Sequence, residues 1–412
     1  MNRLRRANLF LFAALPAALL FSRGIADAMV VVIGLSFLAV ILAQRQWGVF
    51  RHPLILPLLI TWLILNIAVS PFAIDPEASY SRSLPWLRFI VFFAAVSFWI
   101  LKTRQDVSTL ALAWGIILLG VAADGLIQLL FGMSLSGQPI FSNRLTGPLD
   151  RPNIGIFVAR IGLPLMAAWA WLAETRKHRH LVYSKLLILA FSAIMMMFIF
   201  LTGERAASLL TIIALTAVVI LIMILLPRYR LHGFLGLAVV GIAVAGILVT
   251  SERILNRAKA TVEVVGDIWG SIYGELIGAG LRIWLDNPLT GVGLKNFRTA
   301  CEEIRDRFPI SECNPHPHNI YVEWLSEAGI IASLGFAIFV TFFALSLIKP
   351  LSRKNNGRIA GAFLVGSAIV TLFPFTASQS FFSNWPAMLL WSSLACTAAM
   401  ARIIVADEGK RL

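Results

Sequence analysis

Two histidines, His316 and His318, lie one residue apart just before a long apolar run, in the stretch CNPHPHNIYVEWLSEAGI (residues 313–330). An imidazole can take up a proton near neutral pH, so a histidine at the mouth of a helix is a candidate general base for a hydroxyl group. One alternative is a proline-rich turn that caps the helix beginning at Asn319. A second alternative is metal binding, but no Cys or carboxylate stands nearby at ligand spacing, so we predict no metal site.

Several arginines lie between the apolar runs. Arg205 lies in the short turn LTGERAAS, and Arg282 lies on a predicted helix in GLRIWLDNPLTGVGLKNF. Charge beside a bilayer is costly, so arginines there usually have a partner or a function. A guanidinium group can bind two phosphate oxygens at once, which predicts an anion site. For Arg205 the alternative is an ion pair with Glu204 that caps helix ends.

A third basic stretch, RLTGPLDRPN, places Arg144 and Arg151 on either side of a turn rich in Gly and Pro. A helix is predicted to begin at Asn153, and the N-terminus of a helix favours an anion. The alternative is a loop with ordinary solvated arginines. Arg88 and Arg160 lie inside apolar runs, so each of them needs a partner or water.

The composition predicts the helices that position these side chains. The chain is 58% hydrophobic and only 14% charged, whereas soluble proteins have about 25% charged residues. Since a spanning helix takes roughly 20 residues and lipid offers no backbone partners, we expect an all-α integral membrane protein with about 12 transmembrane helices. The predicted spans are about 7–22, 25–44, 53–70, 84–101, 107–131, 153–174, 184–203, 206–226, 232–250, 319–348, 357–376 and 385–406.

The net charge of +14 mostly reflects the orientation of the chain in the membrane. Lys and Arg collect in alternate connections, which predicts that both termini and these connections are cytoplasmic and that the candidate site faces the opposite side. We therefore predict no nucleic-acid partner, although the chain is basic.

The chain divides into residues 1–250 with nine spans, residues 251–318 as one long extracytoplasmic loop, and residues 319–412 with three spans. Within the loop, SERILNRAKATVEVV and GELIGAGLRIWLDNP have apolar residues at helical spacing, and we expect these helices to lie at the membrane interface. The following TGVGLKNF predicts a Gly-rich turn whose backbone approaches another group closely. Cys301 and Cys313 could pair in an oxidising compartment, and two free thiols are the alternative.

Four of these stretches together resemble the O-antigen ligase and polymerase superfamily of bacterial envelope polysaccharide assembly. They are RLTGPLDRPN, LTGERAAS, GLRIWLDNPLTGVGLKNF and HPHNIYVEWLSEAGI, which span residues 144–330 in the family's order. The terminal helices match in hydropathy alone. The resemblance implies a bundle like that of the GT-C glycosyltransferases in the inner membrane of a bacterium.

The resemblance to the ligases further implies the reaction. Such an enzyme transfers a polysaccharide from undecaprenyl diphosphate to the lipid A–core oligosaccharide on the periplasmic face, with inversion and without a metal or cofactor. The family's motifs assign the catalytic roles to His318, Arg282 and Arg205. One departure concerns Arg205, because Glu204 precedes it where relatives often have a small residue, and a carboxylate weakens the positive field there.

Substrate binding is expected from the neighbouring residues Arg144, Arg151, His316 and Asn319, and the choice between His316 and His318 as the base stays open. The nearest alternative function is an O-antigen polymerase, which uses the same donor but a lipid-linked acceptor. A 12-helix transporter is a more distant alternative, and it is disfavoured because the two halves of the chain do not match.

Overall fold

The computed structural model describes residues 2–174, 181–250, 252–308, 310–352, 357–375 and 377–409. Within these ranges the chain is almost entirely helical and forms no β-strand. The predicted all-α fold class is therefore confirmed. The helices, in chain order, are α1 (Asn2–Phe21), α2 (Arg23–Gln44), α3 (Leu56–Ile64), α4 (Pro76–Ala94), α5 (Arg104–Phe131), α6 (Ile154–Glu174), α7 (Leu181–Leu201), α8 (Arg205–Leu225), α9 (Arg230–Thr250), α10 (Glu252–Gly266), α11 (Ile272–Asp286), α12 (Phe297–Ile304), α13 (Ile320–Glu323), α14 (Gly329–Leu351), α15 (Arg358–Leu372) and α16 (Asn384–Gly409).

Eight helical stretches of the described residues are long and apolar enough to cross a membrane. Three shorter apolar helices accompany them, at Leu56–Phe72, Ala190–Leu201 and Arg358–Leu372. The chain is thus a multi-pass membrane protein, as its composition predicts. The total of about 12 spans, the GT-C-like arrangement and the three-part division of the chain stay predictions.

The described residues between α9 and α13 contact one end of the bundle, which we call the loop end. The side chain of Asn296 accepts a hydrogen bond from the backbone N–H of Asp75 (3.0 Å). Arg257 donates from Nε to the carbonyl oxygen of Gly203 (3.3 Å). Since Asn296 and Arg257 belong to the same connection, the turn before α4 and the turn before α8 both lie at the loop end.

The predicted span at 319–348 is interrupted near its start. A π-helical turn, Trp324–Ala328, separates α13 from α14, and Gly329 adopts a φ of 67°. This left-handed conformation suits glycine, which has no Cβ to clash with the backbone. The break frees backbone groups that lipid cannot satisfy, so protein groups must satisfy them.

The predicted Gly-rich turn supplies those partners. Val292 donates its N–H to the carbonyl oxygen of Ser326, and Gly293 donates to that of Glu327 (2.9 Å each). Gly291 has a φ of 65°, and a Cβ built on it would lie 2.6 Å from the carbonyl carbon of Glu327. The Gly-rich turn therefore makes the close backbone approach predicted from the sequence, and the group it approaches is the interrupted helix at Glu327.

The 251–318 connection has a small core of its own. The two helices expected from apolar spacing are present as α10 and α11, and Asn287 is the C-terminal cap of α11. Ile283 of α11 and Phe297 of α12 are buried in this core. A disulfide joins Cys301 to Cys313. Of the two alternatives left open by the sequence, the two cysteines are therefore paired and not free thiols. These contacts fix α11 and α12 next to the segment that carries the two histidines.

Candidate active site

His316 and His318 face one backbone carbonyl group. The oxygen of Ser378 lies 3.3 Å from Nε2 of His316 and 3.3 Å from Nδ1 of His318, and the two ring centroids are 4.3 Å apart. A carbonyl oxygen only accepts hydrogen bonds, so the nitrogen that contacts it carries a proton in each ring. The Nε2 atom of a neutral His318 is then unprotonated, as a general base requires.

Burial keeps both imidazoles neutral. It lowers the pKa of His316 to about 3, and the neighbouring His318 adds to this effect. Burial also lowers the pKa of His318 below its usual value of 6.5, although the hydrogen bond to the Ser378 carbonyl opposes the change. At pH 7 both rings are therefore neutral, and a pKa of about 3 makes His316 a weak base.

Asn319 begins α13 and uses its side chain structurally. Its Oδ1 accepts hydrogen bonds from the N–H groups of Tyr321 and Val322 (3.0 and 3.2 Å). Its Nδ2 donates to the carbonyl oxygen of Pro374 (2.7 Å). The helix-cap alternative thus describes Asn319 well, and its expected role in substrate binding stays a prediction.

The helix α11 lies directly on the histidine segment. A Cβ built on Gly280 would lie 2.4 Å from Cγ1 of Val322 and 3.3 Å from Cβ of Pro317. The ring of Tyr273, on the same helix, is 5.7 Å from the ring of His318 and nearly perpendicular to it. Because glycine allows this close packing, the position of α11 is coupled to the position of the candidate base.

Arg282 lies two residues after Gly280 on α11 and is half-buried. Its guanidinium carbon is 4.1 Å from the centroid of the Phe308 ring. A planar guanidinium stacked on an aromatic face keeps its N–H donors in the open plane, where they can bind a phosphate. The structure therefore holds Arg282 on the helix that contacts the histidine segment.

The turn before α8 packs on the start of α6. Glu204 accepts a hydrogen bond at Oε2 from the N–H of Ile156 (3.0 Å). A Cβ built on Gly155 would lie 2.8 Å from this Oε2 atom and 2.8 Å from Oγ1 of Thr202. Glu204 therefore caps α6 rather than the helix that follows it, and this contact fixes the turn that carries Arg205.

Arginine nitrogens without hydrogen-bond partners lie around this turn. Among the described residues, the Nε atoms of Arg205 and Arg144 are buried and have no hydrogen-bond partner, and the same holds for Nε and Nη1 of Arg160 in the interior of α6. Burial raises the pKa of Glu204 to about 7, against the effect of its hydrogen bonds and of the positive charge of Arg144. A carboxyl group that is partly neutral at pH 7 reduces the positive field less than an ionised one does.

The loop between α5 and α6 brings one of its two predicted arginines to this turn. A Cβ built on Gly203 would lie 3.6 Å from Cγ of Arg144. Gln128 of α5 holds the loop by accepting the N–H of Thr146 (3.0 Å). Arg151, in contrast, is exposed to solvent. Of the two arginines, Arg144 is thus the one that the structure places beside the turn of Arg205.

Other polar residues of the sequence have structural partners. The Arg88 Nε lies 3.1 Å from the carboxylate of Asp27, and its Nη2 donates to Asn384 (2.7 Å). Glu327 accepts the N–H of Phe297 (3.2 Å), so it caps α12 and does not orient a histidine.

Sequence reasoning missed the connection between α15 and α16, which supplies Ser378. The Ser378 hydroxyl oxygen and Oε1 of Gln379 are also buried without hydrogen-bond partners. Nothing in ASQSFFSN has a charge or a motif, so only the fold could place this stretch beside the histidines.

Within the described ranges, no three His, Cys, Asp or Glu side chains are grouped as ligands of a metal ion would be. The expectation that the reaction needs no metal stays a prediction.

The loop end thus holds two groups of the predicted residues. His316, His318 and Asn319 form the first group together with Arg282 on the adjoining α11, and Arg144 and Arg205 form the second group. The connection of residues 251–318 contacts both groups. Fold and site together define a multi-pass membrane protein with neutral imidazoles and arginines at one end of its helical bundle.

Comparison with known proteins supports the resemblance over part of the chain. The family model described as O-antigen ligase matches residues 190–337, which include Arg205, Arg282, His316, His318 and Asn319. The match confirms the predicted resemblance for the three motifs that lie in this range and is consistent with a member of the O-antigen ligase and polymerase superfamily.

A search of curated proteins found no match. A chain from a solved structure of a peptidoglycan synthase complex aligns at 15% identity with a TM-score of 0.47, over 88% of this chain and 98% of that chain. A likeness at that level supports no conclusion about this protein.

Proposed function

We propose that the chain is an O-antigen ligase, an inverting glycosyltransferase that acts without a metal or cofactor. The observation that carries the proposal is the contact of His318 Nδ1 with the carbonyl oxygen of Ser378 (3.3 Å), from which we infer that Nε2 is unprotonated. This atom lies inside the region that matches the O-antigen ligase family. The adjoining α11 carries Arg282, a cation suited to a phosphate.

The proposed donor is a polysaccharide linked to undecaprenyl diphosphate, and the proposed acceptor is the lipid A–core oligosaccharide. Both are lipids, so a site at one end of a membrane bundle can bind their polar parts while the bilayer holds their tails. We place the loop end on the periplasmic side of the inner membrane, with both termini in the cytoplasm. The concentration of Lys and Arg in the opposite connections supports this orientation.

The proposed transfer is a single displacement. Nε2 of His318 takes the proton from the acceptor hydroxyl as its oxygen attacks the anomeric carbon of the donor sugar. The bond from that carbon to the diphosphate oxygen breaks, and its electron pair leaves with the diphosphate. Attack opposite the leaving group inverts the anomeric centre. Because a diphosphate is already a good leaving group, no second acid is required.

Arg282 and Arg205 are proposed to bind the diphosphate and to stabilise the charge it gains on leaving. Removing one preorganised donor of this kind typically lowers kcat by about 10²–10³-fold. Arg144 is proposed to assist with the donor because it contacts the turn that carries Arg205. Because burial raises the pKa of Glu204, this carboxyl group weakens the positive field of these arginines less than a fully ionised one would.

A gene-deletion strain tests the proposal. Its lipopolysaccharide is separated on a gel, and polysaccharide linked to the lipid carrier is probed in parallel. A ligase predicts long chains on the carrier and none on the core. A core that carries one repeat, with no long chains anywhere, would show a polymerase instead. Complementation with the wild-type gene must restore the wild-type pattern, and His318→Ala must not do so while reaching the membrane at the same level.

A further inference from the structure

The proposed chemistry leaves one buried acid of the site without a role. Glu323 is the last residue of α13 and is 1% exposed. Its Oε1 accepts a hydrogen bond from the hydroxyl of Ser380, and its Oε2 accepts the N–H of Phe381 (2.8 Å). Both oxygens of the carboxyl group are thus bonded to one short stretch, residues 377–383, which connects to α16.

The same stretch contains the carbonyl group that the two histidines share. Ser378 also donates its N–H to the carbonyl oxygen of His318 (2.7 Å). The stretch is therefore bonded to the histidine segment at Ser378 and to α13 at Ser380 and Phe381. Glu323 thus bonds to the residues two and three positions after Ser378, whose carbonyl group selects the tautomer of His318.

We propose that Glu323 is a positioning residue for the histidine base. By anchoring Ser380 and Phe381 it fixes the Ser378 carbonyl oxygen, and that oxygen keeps the proton of His318 on Nδ1. The catalytic part of this inference rests on the proposed function, whereas the structural part does not.

A carboxylate suits this position because it must accept from two donors at once. An amide offers one oxygen and one NH₂ group, so in Glu323→Gln the NH₂ group either meets the Phe381 N–H or forces the Ser380 hydroxyl to turn and accept, and the charge that strengthens both bonds is lost. A buried N–H that loses its acceptor is unfavourable. We therefore expect the 377–383 stretch to move away from its place in Glu323→Gln, and the Ser378 oxygen to move with it.

The chain offers a matched control four residues further along, in the π-helical turn that follows α13. Glu327 is also 1% exposed, but it accepts the N–H of Phe297 in α12 and not a group of the 377–383 stretch. Glu327→Gln therefore makes the same chemical change at a neighbouring buried position and removes no hydrogen bond between Glu323 and the 377–383 stretch.

The test measures the tautomer of His318 directly. Wild type, Glu323→Gln, Glu327→Gln and Ser380→Ala are prepared as full chains in lipid nanodiscs with ¹⁵N-labelled histidine. Two-bond ¹H–¹⁵N spectra distinguish Nδ1–H from Nε2–H rings, and a His318→Gln sample assigns the signal. Initial transfer rates are measured on the same samples with the lipid-linked donor varied. Ser380→Ala removes one bond of Glu323 and keeps the other, so it gives a readout if Glu323→Gln does not fold.

We expect His318 to be an Nδ1–H ring in wild type and in Glu327→Gln, and a mixture of tautomers in Glu323→Gln. We expect kcat to fall about 10- to 100-fold in Glu323→Gln with the donor KM unchanged, which is less than the roughly 10²–10⁴-fold contribution of a positioned base. Ser380→Ala should change both quantities in the same direction by less.

An Nδ1–H ring in folded Glu323→Gln, or an equal change of tautomer in Glu327→Gln, would overturn the inference. If the wild type transfers no polysaccharide but the tautomer still depends on Glu323, the proposed function fails and the positioning role stands.

Discussion

The close packing of α11 on the histidine segment makes Gly280→Ala a sharp perturbation. The added methyl group would lie 2.4 Å from Cγ1 of Val322, 3.3 Å from Cβ of Pro317 and 3.5 Å from Cε2 of Phe297. Carbon atoms in contact are normally about 3.5–4.0 Å apart. The helix must therefore move away by about 1 Å, since Val322 is buried and stiff at χ1.

This shift moves Arg282 and Tyr273 away from His318, because all of α11 moves together. A 1 Å misplacement of catalytic groups can cost about 10²-fold in rate, and overpacking of a core typically costs about 1–3 kcal/mol of stability. We expect Gly280→Ala to remain folded at a lower melting temperature and to transfer polysaccharide about 10²-fold more slowly.

The assay is the initial rate of transfer in proteoliposomes, with melting followed on the same preparations. Gly266→Ala, at the end of α10, is the matched control because its methyl group would meet nothing within 4 Å. It should retain the wild-type rate. A Gly280→Ala rate within about twofold of wild type would refute the reasoning, since the 1 Å shift would then have no effect on the site.

Three further predictions concern pH, the disulfide and metals. Burial holds the pKa of His318 below 6.5, so the acid limb of kcat/KM should have its midpoint below pH 6.5, and a higher midpoint would contradict the neutral base. The Cys301→Ser/Cys313→Ser double variant removes a disulfide between residues 12 positions apart. It should lower the free energy of unfolding, measured with denaturant, by about 3 kcal/mol. An unchanged free energy of unfolding would show that the bond does not stabilise the fold. EDTA should leave the transfer rate unchanged, and an inhibition that one metal ion reverses would overturn the metal-free mechanism.

The membrane class was predictable because it depends on composition and on long apolar runs, which need no tertiary information. The stretches that carry Arg205, Arg282 and the histidine pair were also visible in the sequence, since Gly, Pro and charge interrupt the apolar pattern there. The family match covers all three of these stretches.

The rest depends on contacts between distant stretches of the chain. The break at Trp324–Ala328 has no proline to reveal it, and it is stabilised by a turn more than thirty residues earlier. Glu204 seemed to be a partner of Arg205, whereas it caps α6 across the bundle. Ser378 contacts the histidines through its backbone carbonyl group, which every residue has, so no side-chain pattern could indicate the role of Ser378.

The most direct test of the account is the rate of polysaccharide transfer by purified His318→Ala in proteoliposomes at pH 7. Donor and acceptor are both present in excess, and donor binding is measured on the same sample. The account predicts a rate about 10²–10⁴-fold below that of wild type, with donor binding retained because the arginines are intact. A wild-type rate in His318→Ala would contradict the assignment of this imidazole as the base that activates the acceptor.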